Sequence, residues 1–178
     1  MDWMDCSASQ ISEGWRCNNT RTMEFAQTLR ILSALTRHDV AYVLVGSMAM
    51  AAQGIVRATR DMDIFVLADE ANVSRLRAAL RDVFEDPAIA QISATDLAGD
   101  YPAIQYVPPT GDYWIDILAK LGEAFRYEDL EHEPLVIEGV RIHVATPRML
   151  YRMKKGTVRP QDHVDAQVLK DRFRLEDE

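Results

Sequence analysis

The sequence predicts a mixed α/β (α+β) fold, a central mixed β-sheet flanked by helices. Three observations carry this expectation. Runs of β-branched and aromatic residues cluster in the middle of the chain and read as strands: VAYVLVG (40–46), DMDIFVL (61–67), AIQYV (103–107), YWIDIL (113–118) and LVIEGVRIHVA (135–145). Segments whose apolar residues recur at helical spacing lie at both ends. A short run of small residues, SMAMAAQG (47–54), separates the first two strands and reads as a helix.

In chain order, residues 1–21 are polar and small without a sustained period, and are expected to form a disordered tail. Residues 22–178 then make a single domain with C-terminal helices. A helix is expected from Thr22 to His38, because Phe25, Leu29, Leu32 and Leu35 recur at spacings of four and three. VAYVLVG should be a buried strand ending at Gly46, and the helix after it should close at Gly54 in the C′ role. DMDIFVL is the next strand. Residues 69–84 form an amphipathic helix with Val73, Leu76, Leu80 and Phe84 on one stripe.

Residues 86–100 read as a loop with a short strand at AIAQISA (88–94). AIQYV and YWIDIL are strands joined by a Pro-Pro-Thr-Gly-Asp turn. LVIEGVRIHVA should be a hairpin turning at Glu138-Gly139. Thr146 as N-cap and Pro147 at the first position start a helix. Pro160 opens the last helix, with Val164, Val168 and Leu169 expected to face inward.

The composition bounds the function. At 178 residues and 48% hydrophobic content, the chain can build one sizeable core. No run approaches the roughly 18 to 20 apolar residues of a membrane span. The N-terminus lacks the basic and apolar regions of a secretory signal, so a cytoplasmic location is expected. Cys6 and Cys17 show no metal-ligand spacing and read as reduced thiols. A net charge of −8 argues against extended binding to duplex DNA, although RMLYRMKKGTVR (148–159) concentrates positive charge locally.

Two aspartates interrupt the second strand. Residues i and i+2 of a strand share a face, so Asp61 and Asp63 present adjacent carboxylates while Met62 and Ile64 turn the other way. Carboxylates that close repel one another unless a cation lies between them. A hard divalent ion, Mg²⁺ or Mn²⁺, suits such oxygen ligands and substrate phosphates. Gly46-Ser47 ends the preceding strand just before a helix, where backbone N–H groups hold a phosphate and the serine hydroxyl adds a donor. Taken singly, Gly-Ser is usually a turn and Asp-x-Asp a solvated strand end. Asp116 repeats the anomaly in YWIDIL, and with Asp61 and Asp63 it is expected to be the third carboxylate of a two-metal site.

Gly46-Ser47, thirteen intervening residues, Asp61-x-Asp63 and a later strand acid at Asp116 resemble the signature of the DNA polymerase β-like nucleotidyltransferase superfamily. The segment MKKGTVRPQDHVDAQVL (153–169) further resembles the Lys…Arg-Pro-x-Asp-x-x-Asp pattern of nucleotidyltransferases related to AbiEii toxins. The resemblance spans residues 24 to 172 and implies a nucleotidyltransferase fold. It implies that Asp61 and Asp63 bind metal, with Asp116, the third carboxylate of the expected site, positioning or deprotonating the attacking group. Gly46 and Ser47 would hold the triphosphate, Lys154 would touch it, and Asp162 would support the site; Arg159 and Asp165 belong to the same pattern. Arg57 and Arg60, on the loop before Asp61, are candidates either to stabilise pyrophosphate or to balance local acid charge.

The implied reaction moves a nucleoside monophosphate from a nucleoside triphosphate to an acceptor hydroxyl and releases pyrophosphate. A toxin-like enzyme would modify RNA, a tRNA end above all, and would have a cognate antitoxin as partner. The resemblance does not extend to the large helical C-terminal portion of the full-length toxins. A small-molecule enzyme similar to aminoglycoside or lincosamide nucleotidyltransferases has the same core, and the acidic charge suits a cationic acceptor. A non-catalytic nucleotide-binding domain is the third reading.

Overall fold

A computed structural model describes residues 25–57, 59–100 and 102–176. The expected tail with Cys6 and Cys17, and the first three residues of the first expected helix, lie outside the described residues. The chain runs through α1 (Phe25–Arg37), β1 (Tyr42–Leu44), α2 (Gly46–Ala52), β2 (Asp61–Val66), α3 (Glu70–Arg81), α4 (Ala94–Ala98), β3 (Ala103–Tyr106) and β4 (Trp114–Leu118). It continues with β5 (Lys120–Leu121), β6 (Phe125–Arg126), β7 (His132–Ile137), β8 (Val140–Ala145), α5 (Pro147–Lys155) and α6 (Pro160–Phe173).

Six strands form one mixed sheet in the order β3-β4-β2-β1-β8-β7. β2 runs parallel to β4 and β1 parallel to β8, while the β1–β2, β3–β4 and β7–β8 pairs are antiparallel. The buried side of β2 and β4 consists of Met62, Ile64, Ile115 and Ile117, all at 0% exposure. α1 packs against α3 and β8, burying Ile31, Leu32 and Leu35. Asn72 of α3, fully buried, clasps two strand ends at once. Its Oδ1 accepts from Ala41 N at 2.7 Å, and its Nδ2 donates to Ala41 O and Leu67 O at 3.0 and 2.9 Å. A buried amide satisfied this fully fixes where β1 begins and β2 ends.

Most expected elements are present. The hairpin turns at Glu138-Gly139, where φ is 48° and 78°, and Thr146 caps α5 by accepting from Met149 N. Three expectations are corrected. The strand placed at 88–94 is instead a 3-10 helix, Pro87–Gln91, followed by α4. Pro87 pre-sets its first turn, Asp86 accepts from Ala88 N, and Ser93 caps α4. The first strand stops at Leu44 rather than Gly46, because Val45 already serves as the N-cap of α2. Val164 and Val168 of α6 point outward, 56% and 41% exposed, while Leu169 is buried as expected. The buried face of α6 goes to Asp165, Ala166 and Leu169, since Asp165 has ion-pair partners in the interior. The β5–β6 ribbon is an addition that the sequence pattern does not announce.

Candidate active site

The register of β2 on β4 builds the site. Asp63 pairs directly with Asp116 and Asp61 with Trp114. β4 alternates between buried and half-buried residues throughout and β2 does so over residues 61–64, so all three acids emerge on one open face of the sheet. One carboxylate oxygen from each of Asp61, Asp63 and Asp116 lies within 4.8 Å of the other two. Three hard oxygen donors on a rigid sheet fit a divalent cation of the Mg²⁺ or Mn²⁺ type. Burial pushes the Asp63 carboxyl up to about 7, with repulsion from Asp61 and Asp116 adding to it and Lys154 and Arg159 opposing. A cation at that point would reverse the shift.

Each acid is restrained differently. The Thr59 hydroxyl donates to Asp61 Oδ1. Gln105 Nε2 donates to Asp116 Oδ1 at 3.0 Å from the neighbouring strand. Asp63 is held by packing: Val45 N donates to its backbone oxygen at 3.0 Å. Its carboxylate also lies against the bare Cα of Gly46, whose φ is +64°. Glycine is therefore required at position 46 by its backbone as well as by the space above it. Gly46 and Ser47 begin α2 beside the acids, both partly exposed.

A second cluster ties α5, α6 and the loop before β2 together. Lys154, 9% exposed, donates from Nζ to Asp162 Oδ1 and Asp165 Oδ2, both at 2.8 Å. Arg57 pairs with the same Asp165 oxygen. Thr157 Oγ1 donates to Asp162 Oδ2 at 2.9 Å and Gln161 Nε2 to Asp165 Oδ1 at 3.2 Å. Partial burial works to raise the Asp162 carboxyl, but the hydrogen bonds from Lys154 and Thr157 leave it below the usual range. Arg60 lies 3.8 Å from Asp112, and Arg159 is exposed at the start of α6.

The structure thus gathers Asp61, Asp63 and Asp116 in one group and Arg57, Lys154, Asp162 and Asp165 in another. The charges of Lys154 and Arg159 still reach Asp63. Sequence reading passed over Thr59, Gln105 and Thr157. Thr59 stands two residues before Asp61, a spacing that suits a local side-chain hydrogen bond and was the available signal. Gln105 carries no such signal, because its partner is 11 residues away.

No protein-family model matches the chain, and no curated protein matches it in sequence. Among solved structures, the lincosamide antibiotic adenylyltransferase LnuA, in its lincomycin-bound crystal structure, is similar with a TM-score of 0.54. The two share 15% identity over 85% of this chain and 98% of that one. ANT(2″)-Ia, in complex with adenylyl-2″-tobramycin, scores 0.49 at 16% identity, covering 83% of this chain and 89% of that one. A putative nucleotidyltransferase from Thermotoga maritima scores 0.49 at 15% identity, covering 88% and 99%. The likeness to LnuA establishes the architecture: the chain has a nucleotidyltransferase fold.

Proposed function

We propose that the chain is a metal-dependent nucleotidyltransferase that transfers a nucleoside monophosphate from a nucleoside triphosphate to an acceptor hydroxyl. The observation that carries this reading is the register pairing of Asp63 with Asp116, with Asp61 beside them, on the open face of a sheet of this fold. Asp61, Asp63 and Asp116 would hold a divalent ion. When bound, it supplies positive charge against the phosphates and acidifies the acceptor hydroxyl.

The remaining chemistry falls to the chain. Asp116 positions the acceptor hydroxyl and takes its proton as the new O–Pα bond forms. The bond from Pα to the bridging oxygen breaks, and pyrophosphate leaves. Gly46 and Ser47 hold the triphosphate through backbone and hydroxyl donors. Arg159 and Arg60 would contact the departing pyrophosphate. Lys154 acts from behind, since its ammonium already has two aspartate partners. Arg57 likewise serves the α6 cluster.

For the acceptor, the Lys154-to-Asp165 segment supports an AbiEii-like reading, because its two pattern aspartates converge on the Lys154 ammonium. That reading makes RNA the acceptor and a cognate antitoxin a partner. The similarity to a lincomycin-bound adenylyltransferase favours the second reading, a small hydroxylated molecule.

The test incubates the protein with Mg²⁺, total bacterial RNA and each of the four α-labelled nucleoside triphosphates in turn. The Asp61→Ala/Asp63→Ala variant serves as control. Label on RNA with wild type alone supports the toxin-like reading. Label released as free nucleotide conjugates when a small-molecule mixture replaces RNA supports the second. Equal labelling by the variant overturns the proposal.

A further inference from the structure

We propose that Gln105 is a positioning residue for Asp116, fixing one carboxylate oxygen so that the other is presented to the ion and the acceptor. The proposal rests on the functional reading above and assigns the edge strand β3 a part in the site. Gln105 stands opposite Asp116 in the antiparallel β3–β4 register. Its Nε2 lies 3.0 Å from Asp116 Oδ1. The same pleat that exposes Ala103 and Gln105 buries Tyr106, so the amide projects onto the open face that carries the three acids.

Asp116 needs such a partner more than its neighbours do. Asp61 is held by Thr59 from its own loop. Asp63 is held by burial and by its fit against Gly46. Among the described residues, Gln105 is the sole hydrogen-bond donor to the Asp116 carboxylate. A carboxylate on an open face otherwise samples several rotamers, each of which places its oxygens differently.

The chemistry of the donor matters as well. A lysine or arginine at position 105 would restrain Asp116 but would cancel the negative charge that attracts the ion. A neutral amide restrains without neutralising. It takes one lone-pair set on Oδ1 and leaves Oδ2 free. Second partners of this kind are worth about 10–100-fold in metal affinity.

The test uses the full chain with Mn²⁺ alone as probe, counting free ion by electron paramagnetic resonance. Wild type is compared with Gln105→Leu, Gln105→Lys and Asp116→Asn, and urea unfolding checks that each variant folds. Because Gln105 is exposed, its variants are expected to unfold at the wild-type midpoint. Gln105→Leu is expected to weaken Mn²⁺ binding about 10-fold. Gln105→Lys should weaken it at least as much even though it retains a donor. Wild-type affinity in Gln105→Leu beside weakened binding in Asp116→Asn overturns the role of Gln105 and leaves the metal site standing. Unchanged binding in Asp116→Asn overturns the functional reading itself, and the role of Gln105 with it.

Discussion

The carboxylate of Asp63 occupies the space that a side chain at residue 46 would need: a Cβ built on Gly46 falls 2.8 Å from Asp63 Cγ. One glycine thus serves two ends, since its φ of +64° also lets the chain pass from β1 into α2.

Gly46→Ala should therefore damage site and fold together. The positive φ alone costs about 1 kcal/mol or more for an L side chain. Displacement of Asp63 should weaken Mn²⁺ binding about 10-fold or more, and nucleotide transfer with it. Mn²⁺ titration beside urea unfolding checks this. Wild-type affinity in the variant would mean that Asp63 finds another seat.

Removing the charge of Lys154 should destabilise the fold. Lys154→Met leaves Asp162 and Asp165 facing each other with one cation fewer, and losing one partner of a buried pair costs about 3–5 kcal/mol. A second change, Asp165→Leu, should cost less in the Lys154→Met background than in wild type, because the Lys154 pair it breaks is already gone. Urea midpoints of the single and double variants give the answer, and additive losses would refute the coupling.

Ion binding should release a proton near neutrality. Asp63, raised to about 7, is partly protonated at pH 6.5 in the ion-free protein and must lose that proton to act as a ligand. Mg²⁺ or Mn²⁺ affinity should rise as pH increases from about 6 to 8 and then level off. Calorimetry in buffers of different ionisation enthalpy counts the protons released. A pH-independent affinity over that window would contradict the placement of Asp63 in the site.

His143 should make the protein acid-sensitive. Burial, together with His132 and Arg141, holds its imidazole below the usual value. The unfolded chain therefore takes up the proton first. Its contribution is intact above the unfolded value of about 6.5 and is lost as pH falls through the folded one. Tyr42 stands edge-on to the ring at a centroid distance of 6.1 Å, and His132 at 5.4 Å. His143→Gln should flatten the stability–pH curve below about pH 6.5, as followed by thermal unfolding across the pH range.

The sequence made the strands around the acids legible because burial alternates with period two, and Asp61, Asp63 and Asp116 break an apolar pattern at positions that a pleat brings together. Thr146-Pro147 and Pro160 marked their helices through local capping chemistry, which needs no tertiary information. α6 was misread on one face for the opposite reason. Its valines were sorted by hydrophobicity alone, but the strongest interior demand comes from Lys154 and Arg57, which draw Asp165 inward and turn Val164 and Val168 to solvent. The bond from Gln105 to Asp116 was equally hidden, since it depends on how two strands slide against each other and on nothing local to residue 105.

The pairing of β4 with β2 separates two kinds of sensitivity along five residues. In a saturation scan of 114–118, Ile115 and Ile117 should respond in abundance and solubility assays, whereas Asp116 should respond in catalysis at undiminished expression. Inserting or deleting a single residue in β4 would exchange the two sets, turning the acid inward and an isoleucine outward. Drift in this strand is thereby confined to substitution, and a change of length has no neutral path.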